Sequence, residues 1–341
     1  MKTFYIGMKD QFLVINETKD GYTFTTHLKG MKANRLAIDP QNEKRMYVAT
    51  DEGLWRTEDA GEKWVQADKG IKKPKITAVA INPKKRVKGN SVVYAGTEPS
   101  ELYYSEDNGR SWVEFSGIQE LPSKSEWSFP PRPETHYVRW ITPNYTDENF
   151  IAVSIEAGAV IYTNDHGKTW NDRTEEGPID VHTLLNHPDT PGRLYAANGD
   201  GSSNPKKAFA ESQVGGQSWE YLSEGLEKHP YLYNMILHPN NPEDILVSAS
   251  KNASKAHRSP RYSTVYRKNG GEAWKELAEG LPRKETYTHH LANDPNDVNG
   301  FYALNNFGIY WLGVKETAWE KLDIPWPEEY IGERPYFFIV K

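Results

Sequence analysis

The sequence contains no cysteine among its 341 residues. Disulfide frameworks, thiolate zinc sites, iron–sulfur clusters and cysteine nucleophiles are therefore excluded. A long basic run is also missing and the net charge is −6, which argues against a protein that reads a nucleic-acid backbone. No apolar run approaches the roughly 18 residues that a membrane helix needs, and the N-terminus lacks the apolar block of a signal peptide. We therefore expect a soluble, cytoplasmic protein with neither membrane nor nucleic-acid partners.

Turn-forming and aromatic residues are abundant instead. The chain has 26 Gly, 22 Pro, 20 Tyr and 11 Trp, whereas hydrophobic residues make up 37% of it. This composition is typical of many short strands joined by tight turns, and it does not fit a helical bundle. We expect an all-β protein.

An octapeptide recurs along the chain. Three clear copies, two worn copies and two faint terminal ones are found at Thr57–Trp64, Ser105–Trp112, Thr163–Trp170, Ser212–Trp219, Arg267–Trp274, Gly21–Phe24 and Glu316–Trp319. In the clear copies an Asp can accept backbone N–H groups across a tight turn, and a Ser or Thr hydroxyl can support it. The Gly takes a positive φ, and the Trp begins the next strand and packs inward. The repeat therefore predicts a recurring hairpin turn.

A second repeat has the same period. An apolar strand ends at a turn proline, and another strand follows at 45–50, 91–96, 149–155, 192–197, 244–250 and 299–304. Each unit of about 49 residues then holds four antiparallel strands, which is the size of a propeller blade. The N-terminus supplies three strands, 3–7, 11–15 and 23–27, and the C-terminus supplies one, 336–341. We expect these four to form one shared blade, so that residues 1–341 make a single seven-bladed β-propeller domain.

The octapeptide resembles the Asp-box, or BNR, repeat of sialidases, xyloglucanase propellers, sortilin-type receptors and the photosystem II stability/assembly factor. Seven blades resemble the assembly factor and the xyloglucanases, since sialidases have six. The Arg-Ile-Pro motif of sialidases is absent, so their arginine triad is not carried over. The resemblance implies a structural role for the Asp boxes and a site elsewhere.

We expect that site at the axial mouth of the propeller channel. One face carries the irregular loops 117–135, 198–207 and 251–262, and long loops on a rigid scaffold are where binding resides. The inner strands enter from this face, and their early polar residues should surround the mouth. These residues are Asn34, Arg35, Thr77, His136, Arg139, Asp180, His182, Tyr231, Tyr233, His289 and His290.

Three chemistries compete for this site. Arg35 and Arg139 could bind an anion, with His182 as base and Tyr233 as acid, as in β-elimination on a uronate sugar. Alternatively, two carboxylates could hydrolyse a glycosidic bond; the candidates are Asp51, Glu98, Glu156, Asp180 and Asp200. Asp51 lies in a segment that resembles the strand–turn–strand carrying a catalytic Asp in xyloglucanases. In the third hypothesis the imidazoles of His136, His182, His289 and His290 bind a metal.

The interpretation we adopt is a ligand-binding, glycan-active propeller, either a glycoside hydrolase or a uronate-type lyase, acting on an acidic or neutral oligosaccharide or another small anion. Its catalytic residues would be His182, Tyr233, Arg139 and Asp51. Ligand-binding residues would be Arg35, His136, Asp180, His289, His290 and Trp127, the last by stacking on a sugar. No cofactor is expected. The alternative is a scaffold that binds a protein partner and performs no chemistry.

Overall fold

The computed structural model describes residues 1–341. Seven antiparallel sheets follow one another along the chain, and they are the blades of a seven-bladed β-propeller. The strands, in chain order, are β1 (Thr3–Gly7), β2 (Phe12–Thr18), β3 (Gly21–His27), β4 (Ala33–Asp39), β5 (Asn42–Thr50), β6 (Gly53–Thr57), β7 (Val65–Gln66), β8 (Ile76–Val87), β9 (Asn90–Thr97), β10 (Leu102–Ser105), β11 (Val113–Glu114), β12 (Val138–Pro143), β13 (Ile151–Ile155), β14 (Ala159–Thr163), β15 (Val181–Leu185), β16 (Leu194–Asn198), β17 (Phe209–Ser212), β18 (Glu220–Tyr221), β19 (Tyr231–His238), β20 (Asn241–Ser250), β21 (Thr264–Asn269), β22 (Lys275–Glu276), β23 (His290–Asp294), β24 (Asp297–Asn305), β25 (Gly308–Gly313), β26 (Glu320–Lys321) and β27 (Phe337–Val340).

Helical segments are short and lie in the connections. There is one α-helix, α1 (Ala253–His257), and the 3₁₀ turns are Ser116–Glu120, Pro122–Glu126, Gly199–Ser202, Pro205–Lys207 and Glu328–Gly332. Four of the 3₁₀ turns and α1 lie in or next to the three loops expected to be irregular. None of these helices has the length and apolar character needed to cross a bilayer.

The sheet orders match the repeat. Strand β27 pairs antiparallel with β1, so the first sheet runs β27-β1-β2-β3 and holds strands from both chain ends. Five further sheets also have four strands. The sheet β12-β13-β14 has three, and its expected fourth strand is reduced to a bridge between Tyr162 and Asn171. In the five other blades that follow the first sheet, the outermost strand is only two residues long, so a single bridge is only slightly shorter than the strand found at the same place in those blades.

The three clear octapeptide turns share one hydrogen-bond pattern. In the second copy the Ser105 hydroxyl donates to Asp107 Oδ1 at 2.8 Å and accepts the Gly109 N–H at 2.8 Å. Asp107 Oδ1 also accepts the Ser111 N–H at 2.9 Å. Asn108 and Gly109 both have positive φ, 60° and 74°. The predicted turn is confirmed, with one addition: the residue before the Gly is left-handed as well.

Adjacent blades meet at the Trp that ends the octapeptide. The indole N–H of Trp112 donates to the Ala67 carbonyl of the preceding blade at 2.6 Å. A Cβ on Gly70, where φ is 108°, would lie 2.8 Å from the Trp112 carbonyl oxygen. A Cβ on Gly280 would lie 2.0 Å from the Trp319 carbonyl oxygen. Glycine is required at these junctions because the next blade's backbone occupies the space of a side chain.

By contact density the chain comprises two compact units, residues 1–30, 197–210 and 221–341, and residues 31–196 and 211–220. In each unit the hydrophobic core lies between neighbouring blades. In the first unit Phe4 and Ile6 of β1 pack with Tyr302 and Leu304 of β24. In the second, blades β4–β7 and β8–β11 share a core, as do blades β8–β11 and β12–β14.

Candidate functional site

Four inner strands carry a β-bulge near their first residue. The pairing register skips Asn34 in β4, Thr77 in β8, Arg139 in β12 and Tyr233 in β19. A bulge frees one residue from the ladder and redirects its side chain. All four bulge residues were among the side chains expected at the channel mouth. Each of them is unpaired in the strand ladder, unlike its neighbours in the same strand.

Three of the bulge residues bond to the inner strand of the next blade. The donor–acceptor pairs are Asn34 Nδ2 to the Ile76 carbonyl at 2.8 Å, Thr77 Oγ1 to the Val138 carbonyl at 2.7 Å, and Arg139 Nε to the His182 carbonyl at 3.3 Å. These contacts tie one blade to the next. Asn34, Thr77 and Arg139, which the sequence analysis assigned to a binding site, therefore stabilise the contact between neighbouring blades.

A buried charge cluster is formed by Arg139, Glu156, Asp180 and His182. Arg139 Nε lies 3.3 Å from Glu156 Oε2, and His182 Nε2 lies 3.5 Å from Glu156 Oε1 and 3.6 Å from Asp180 Oδ1. The His182 side chain is only 1% exposed. Strand β12 supplies Arg139, β15 supplies His182, and the two carboxylates lie directly after β13 and directly before β15.

The cluster fixes the protonation of its members. Burial disfavours the imidazolium of His182, but the carboxylates of Asp180 and Glu156 outweigh it and raise the His182 pKa to about 9. Burial also disfavours the Glu156 carboxylate, yet Arg139 and His182 lower its pKa to about 2. At neutral pH His182 is therefore a cation and Glu156 an anion. A protonated imidazole cannot accept a proton, so the expected role of His182 as a base does not fit.

Glu156, Asp180 and His182 are also the residues best placed to hold a cation, since one ligand atom of each lies within 4.8 Å of the others. The guanidinium of Arg139 already contacts Glu156 in this cluster. A divalent metal would meet that fixed positive charge, and the arrangement suits a network of ion pairs better than a metal site.

Asp51 and Arg35 lie in the same unit with partners of their own. Asp51 Oδ1 accepts a hydrogen bond from Asn34 Nδ2 at 2.8 Å and lies 3.8 Å from Lys32 Nζ. The Arg35 guanidinium stacks on Trp140, with 3.8 Å between Cζ and the ring centroid. Asp51 is about one-third exposed, so it remains accessible to a ligand.

Glu98 is a further carboxylate of the expected set. It lies 2.6 Å from Lys75 Nζ and also pairs with Arg132. Although burial opposes ionisation, these two cations lower the pKa of Glu98. It is an anion held by two cations.

Tyr233 belongs to an aromatic and cationic group in the other unit. Its hydroxyl accepts a hydrogen bond from Arg334 at 2.6 Å, and its ring meets His257 and His290 edge to face. Tyr231 bonds to His257 Nε2 at 3.0 Å. This group packs α1 against strand β19, and all its aromatic members are at least half buried.

Two expected ligand-binding residues prove to be core groups. Trp127 was predicted to stack on a sugar; it is 4% exposed, belongs to a hydrophobic core cluster, and donates its indole N–H to Ser123 at 2.9 Å. His289 is fully buried, and burial lowers its pKa to about 3. Its Nδ1 contacts the Ser263 hydroxyl at 2.7 Å. Neither side chain is accessible to a ligand.

The imidazoles of the metal hypothesis have separate partners. His136 Nδ1 accepts the Ser100 N–H at 3.3 Å, and burial lowers the His136 pKa. His290 Nε2 donates to the Pro335 carbonyl at 3.0 Å. With His182 in the charge cluster and His289 on Ser263, each ring has its own structural contact, and the contacts do not support a four-histidine metal site.

Sequence reasoning missed the roles of Arg334 and His257, which contact Tyr233, and treated Glu156 as one carboxylate among five. No local motif marks any of these residues. Arg334 lies shortly before the last strand and Glu156 directly after β13, and only the predicted strand ends could have directed attention to them.

No family model matches this sequence. A xyloglucanase of Hypocrea jecorina is 31% identical over 120 residues, which is 34% of this chain and 14% of that protein. The chain therefore matches only a small part of this curated relative.

Solved structures resemble most of this chain. A Niastella koreensis GH74 enzyme has a TM-score of 0.60 at 15% identity, covering 84% of this chain and 46% of that one. YCF48 bound to D1 peptide also has a TM-score of 0.60 at 15% identity, covering 91% of this chain and 89% of the other. YCF48 from Cyanidioschyzon merolae has a TM-score of 0.58 at 11% identity, with coverage of 86% and 85%. At these identities the likeness shows a shared fold, the seven-bladed β-propeller.

Proposed function

We propose that this protein is a binding propeller without catalytic activity and that its ligand is a segment of another protein. The observation that carries the proposal is that the predicted catalytic groups are engaged in contacts between and within blades. Arg139 bonds to the next inner strand and to Glu156, and His182 is enclosed by two carboxylates.

Hydrolysis of a glycosidic bond needs a carboxylic acid that is protonated near neutral pH, together with a second carboxylate. The cations around Glu98 and Glu156 lower the pKa of both, the latter to about 2. Neither can donate a proton at neutral pH. This argues against a hydrolase built on those two residues.

β-Elimination from a uronate needs a base that can take the proton next to the carboxylate. His182, the predicted base, has a pKa raised to about 9 by Asp180 and Glu156 in spite of burial. It is also almost completely enclosed. These properties argue against the lyase alternative.

The extent of the structural likeness supports a scaffold. This chain covers 89% of the YCF48 chain that was solved with a D1 peptide, whereas it covers 46% of the Niastella koreensis GH74 chain. Fold likeness alone does not assign function, so the peptide-bound neighbour serves as an analogy that agrees with the unsuitability of Glu98 and Glu156 as acids and of His182 as a base.

The proposal is tested by incubating the protein with xyloglucan, mixed-linkage glucan and polygalacturonate and measuring released reducing ends and unsaturated uronates. We expect no turnover. In parallel, cross-linking followed by mass spectrometry in the host cell should return a protein bound to the propeller. Sugar release that requires a side chain of the charge cluster, tested with Glu156→Gln, would refute the proposal.

A second candidate, a xyloglucan-type site at Asp51, is favoured by two observations. A xyloglucanase shares 31% identity over 120 residues, and the Asp51 side chain is 35% exposed. The variant Asp51→Asn, measured in the same assays, distinguishes this second candidate from the scaffold. Turnover by the wild type that is lost in Asp51→Asn would favour the second candidate over the scaffold.

A further inference from the structure

A strongly basic surface lies on the unit that contains residues 221–341. We define the basic surface as Lys251, Lys255, Arg258, Arg261, Arg283 and Lys284. The first four lie in residues 251–262, which include no Asp or Glu. The whole chain has a net charge of −6, so this surface has the opposite sign of charge to the protein as a whole.

The two segments of the basic surface are fastened to each other through the backbone. Tyr262 and Lys284 form an isolated antiparallel bridge. Next to it, the Ser263 N–H donates to the Arg283 carbonyl at 3.0 Å, and the Glu285 N–H donates to the Arg261 carbonyl at 3.0 Å. The backbone that carries these cations is therefore ordered before a ligand binds, which reduces the conformational entropy lost on binding.

Helix α1, which carries part of the basic surface, packs against strand β19. Ala256 is buried in a cluster with Tyr231 and Tyr233, and His257 Nε2 contacts the Tyr231 hydroxyl at 3.0 Å. The Lys255 N–H donates to the Asn252 side chain at 2.9 Å at the start of the helix. The basic loop is thus a folded part of the propeller.

An open pocket of about 550 Å³ lies within the basic surface. Tyr262, Pro282, Arg283 and Lys284 line it. The Tyr262 ring stacks on His229, with 5.0 Å between ring centroids and 17° between planes. A pocket of this size accommodates a side chain or a small group, and Tyr262 and Pro282 give it an apolar wall beside two cations.

The positive charge of the surface is only partly neutralised. Arg283 lies 3.4 Å from Glu276, and Arg261 lies 3.6 Å from Glu285. Lys251, Arg258 and Lys284 are exposed, and the two ion pairs of this surface do not include them. The surplus charge attracts anions and accelerates their association.

We propose that the basic surface binds an acidic peptide segment, rich in Asp and Glu with an interspersed apolar residue. Arginine forks match carboxylates, and the apolar wall of Tyr262 and Pro282 takes the apolar side chain. A uronate oligosaccharide offers carboxylates but no apolar side chain, so the pocket favours a peptide. The inference rests on the proposed function in that the ligand is a protein segment.

The test measures binding by fluorescence anisotropy. A labelled peptide of alternating Glu and Leu is titrated with the full chain, and the same peptide with Gln in place of Glu is the uncharged control. The variant Arg283→Glu/Lys284→Glu reverses the pocket charges. The matched control is Lys9→Glu/Lys19→Glu, which makes the same charge change at two exposed lysines elsewhere.

We expect the Glu peptide to bind the wild type with an affinity that falls as salt is added. Affinity should drop by about tenfold or more in the pocket variant and by less than about twofold in the control variant. Thermal melting should be the same for both variants. A second variant, Lys251→Glu/Arg258→Glu, should also weaken binding.

Four results would overturn the inference. The Gln peptide could bind as tightly as the Glu peptide, the pocket variant and the Lys9→Glu/Lys19→Glu control could lose affinity equally, or no Glu-peptide binding could be found at low salt. The fourth is an oligogalacturonate that binds at the pocket more tightly than the peptide. The sugar-release assays report on the proposed function separately, because turnover can occur whether or not this surface binds a peptide.

Discussion

The buried charge cluster makes stability depend on pH in a range where few other groups titrate. His182 has a pKa raised from 6.5 to about 9 by Asp180 and Glu156, which outweigh the effect of burial. Because the folded state binds this proton more tightly than the unfolded chain does, the stabilisation is complete below about pH 6.5 and is lost as the pH rises through about 9.

The size of the effect follows from the shift. Each pKa unit corresponds to about 1.4 kcal/mol, so His182 contributes about 3 kcal/mol that disappears between those limits. The side chain is 1% exposed, so solvent screening reduces this figure little. A loss of that size is a large fraction of the stability of a typical domain, about 5–15 kcal/mol.

The assay is urea unfolding, followed by tryptophan fluorescence at several pH values from neutral to strongly basic. His182→Gln should be less stable than the wild type at neutral pH, and the difference should shrink by about 3 kcal/mol at high pH. The matched control is His166→Gln. Burial lowers the pKa of His166 to about 4, so His166 loses its proton well below neutral pH, and this variant should keep the wild-type decline.

Two results would contradict this prediction: a wild-type stability that is level from neutral pH to about pH 9, or the same decline in His182→Gln as in the wild type. Either result would mean that the two carboxylates do not hold a proton on His182.

Three further substitutions test the fold. Gly280→Ala should cost about 2–4 kcal/mol, because a Cβ would collide with the next blade's carbonyl oxygen; Gly271→Ala, with open space around it, is the control. Asp107→Ala should cost about 1–2 kcal/mol through lost turn hydrogen bonds, with Glu106→Ala as control. Trp127→Ala should cost about 3–5 kcal/mol, since the side chain fills the core. Urea unfolding measures all of them.

Each of these substitutions has a contrary outcome. Equal stability of Gly280→Ala and Gly271→Ala would contradict the close packing at the blade junction. A neutral Asp107→Ala would mean that the turn does not need its carboxylate. A Trp127→Ala protein that keeps wild-type stability would contradict the burial of that indole.

The fold could be predicted because the motifs that specify it act locally and recur along the chain. The octapeptide specifies a turn through the hydrogen bonds of Asp107 and Ser105 and through the left-handed Gly109, and the structure has those contacts. The interval between copies gives the blade length, and the leftover strands at the two ends appear in one sheet. A single octapeptide would indicate only one turn, whereas its recurrence at blade-length intervals indicates a propeller.

The site could not be predicted in the same way, because it depends on where side chains point. The bulge at Arg139 has no sequence signature, yet it directs that side chain to the next blade. Polar residues at the starts of inner strands therefore looked like a binding site, although several serve as ties between blades. Burial of Trp127 and His289 likewise depends on tertiary packing that composition does not reveal.

Nearby cations hold the carboxyl groups of Glu98 and Glu156 ionised, so that neither can act as an acid. ¹³C NMR titration of their carboxyl carbons measures this ionisation directly. We expect both signals to stay at their ionised positions throughout the range from about pH 5 to pH 8. A titration of either carboxyl near neutral pH would reveal a group able to donate a proton and would argue for an acid catalyst in this protein.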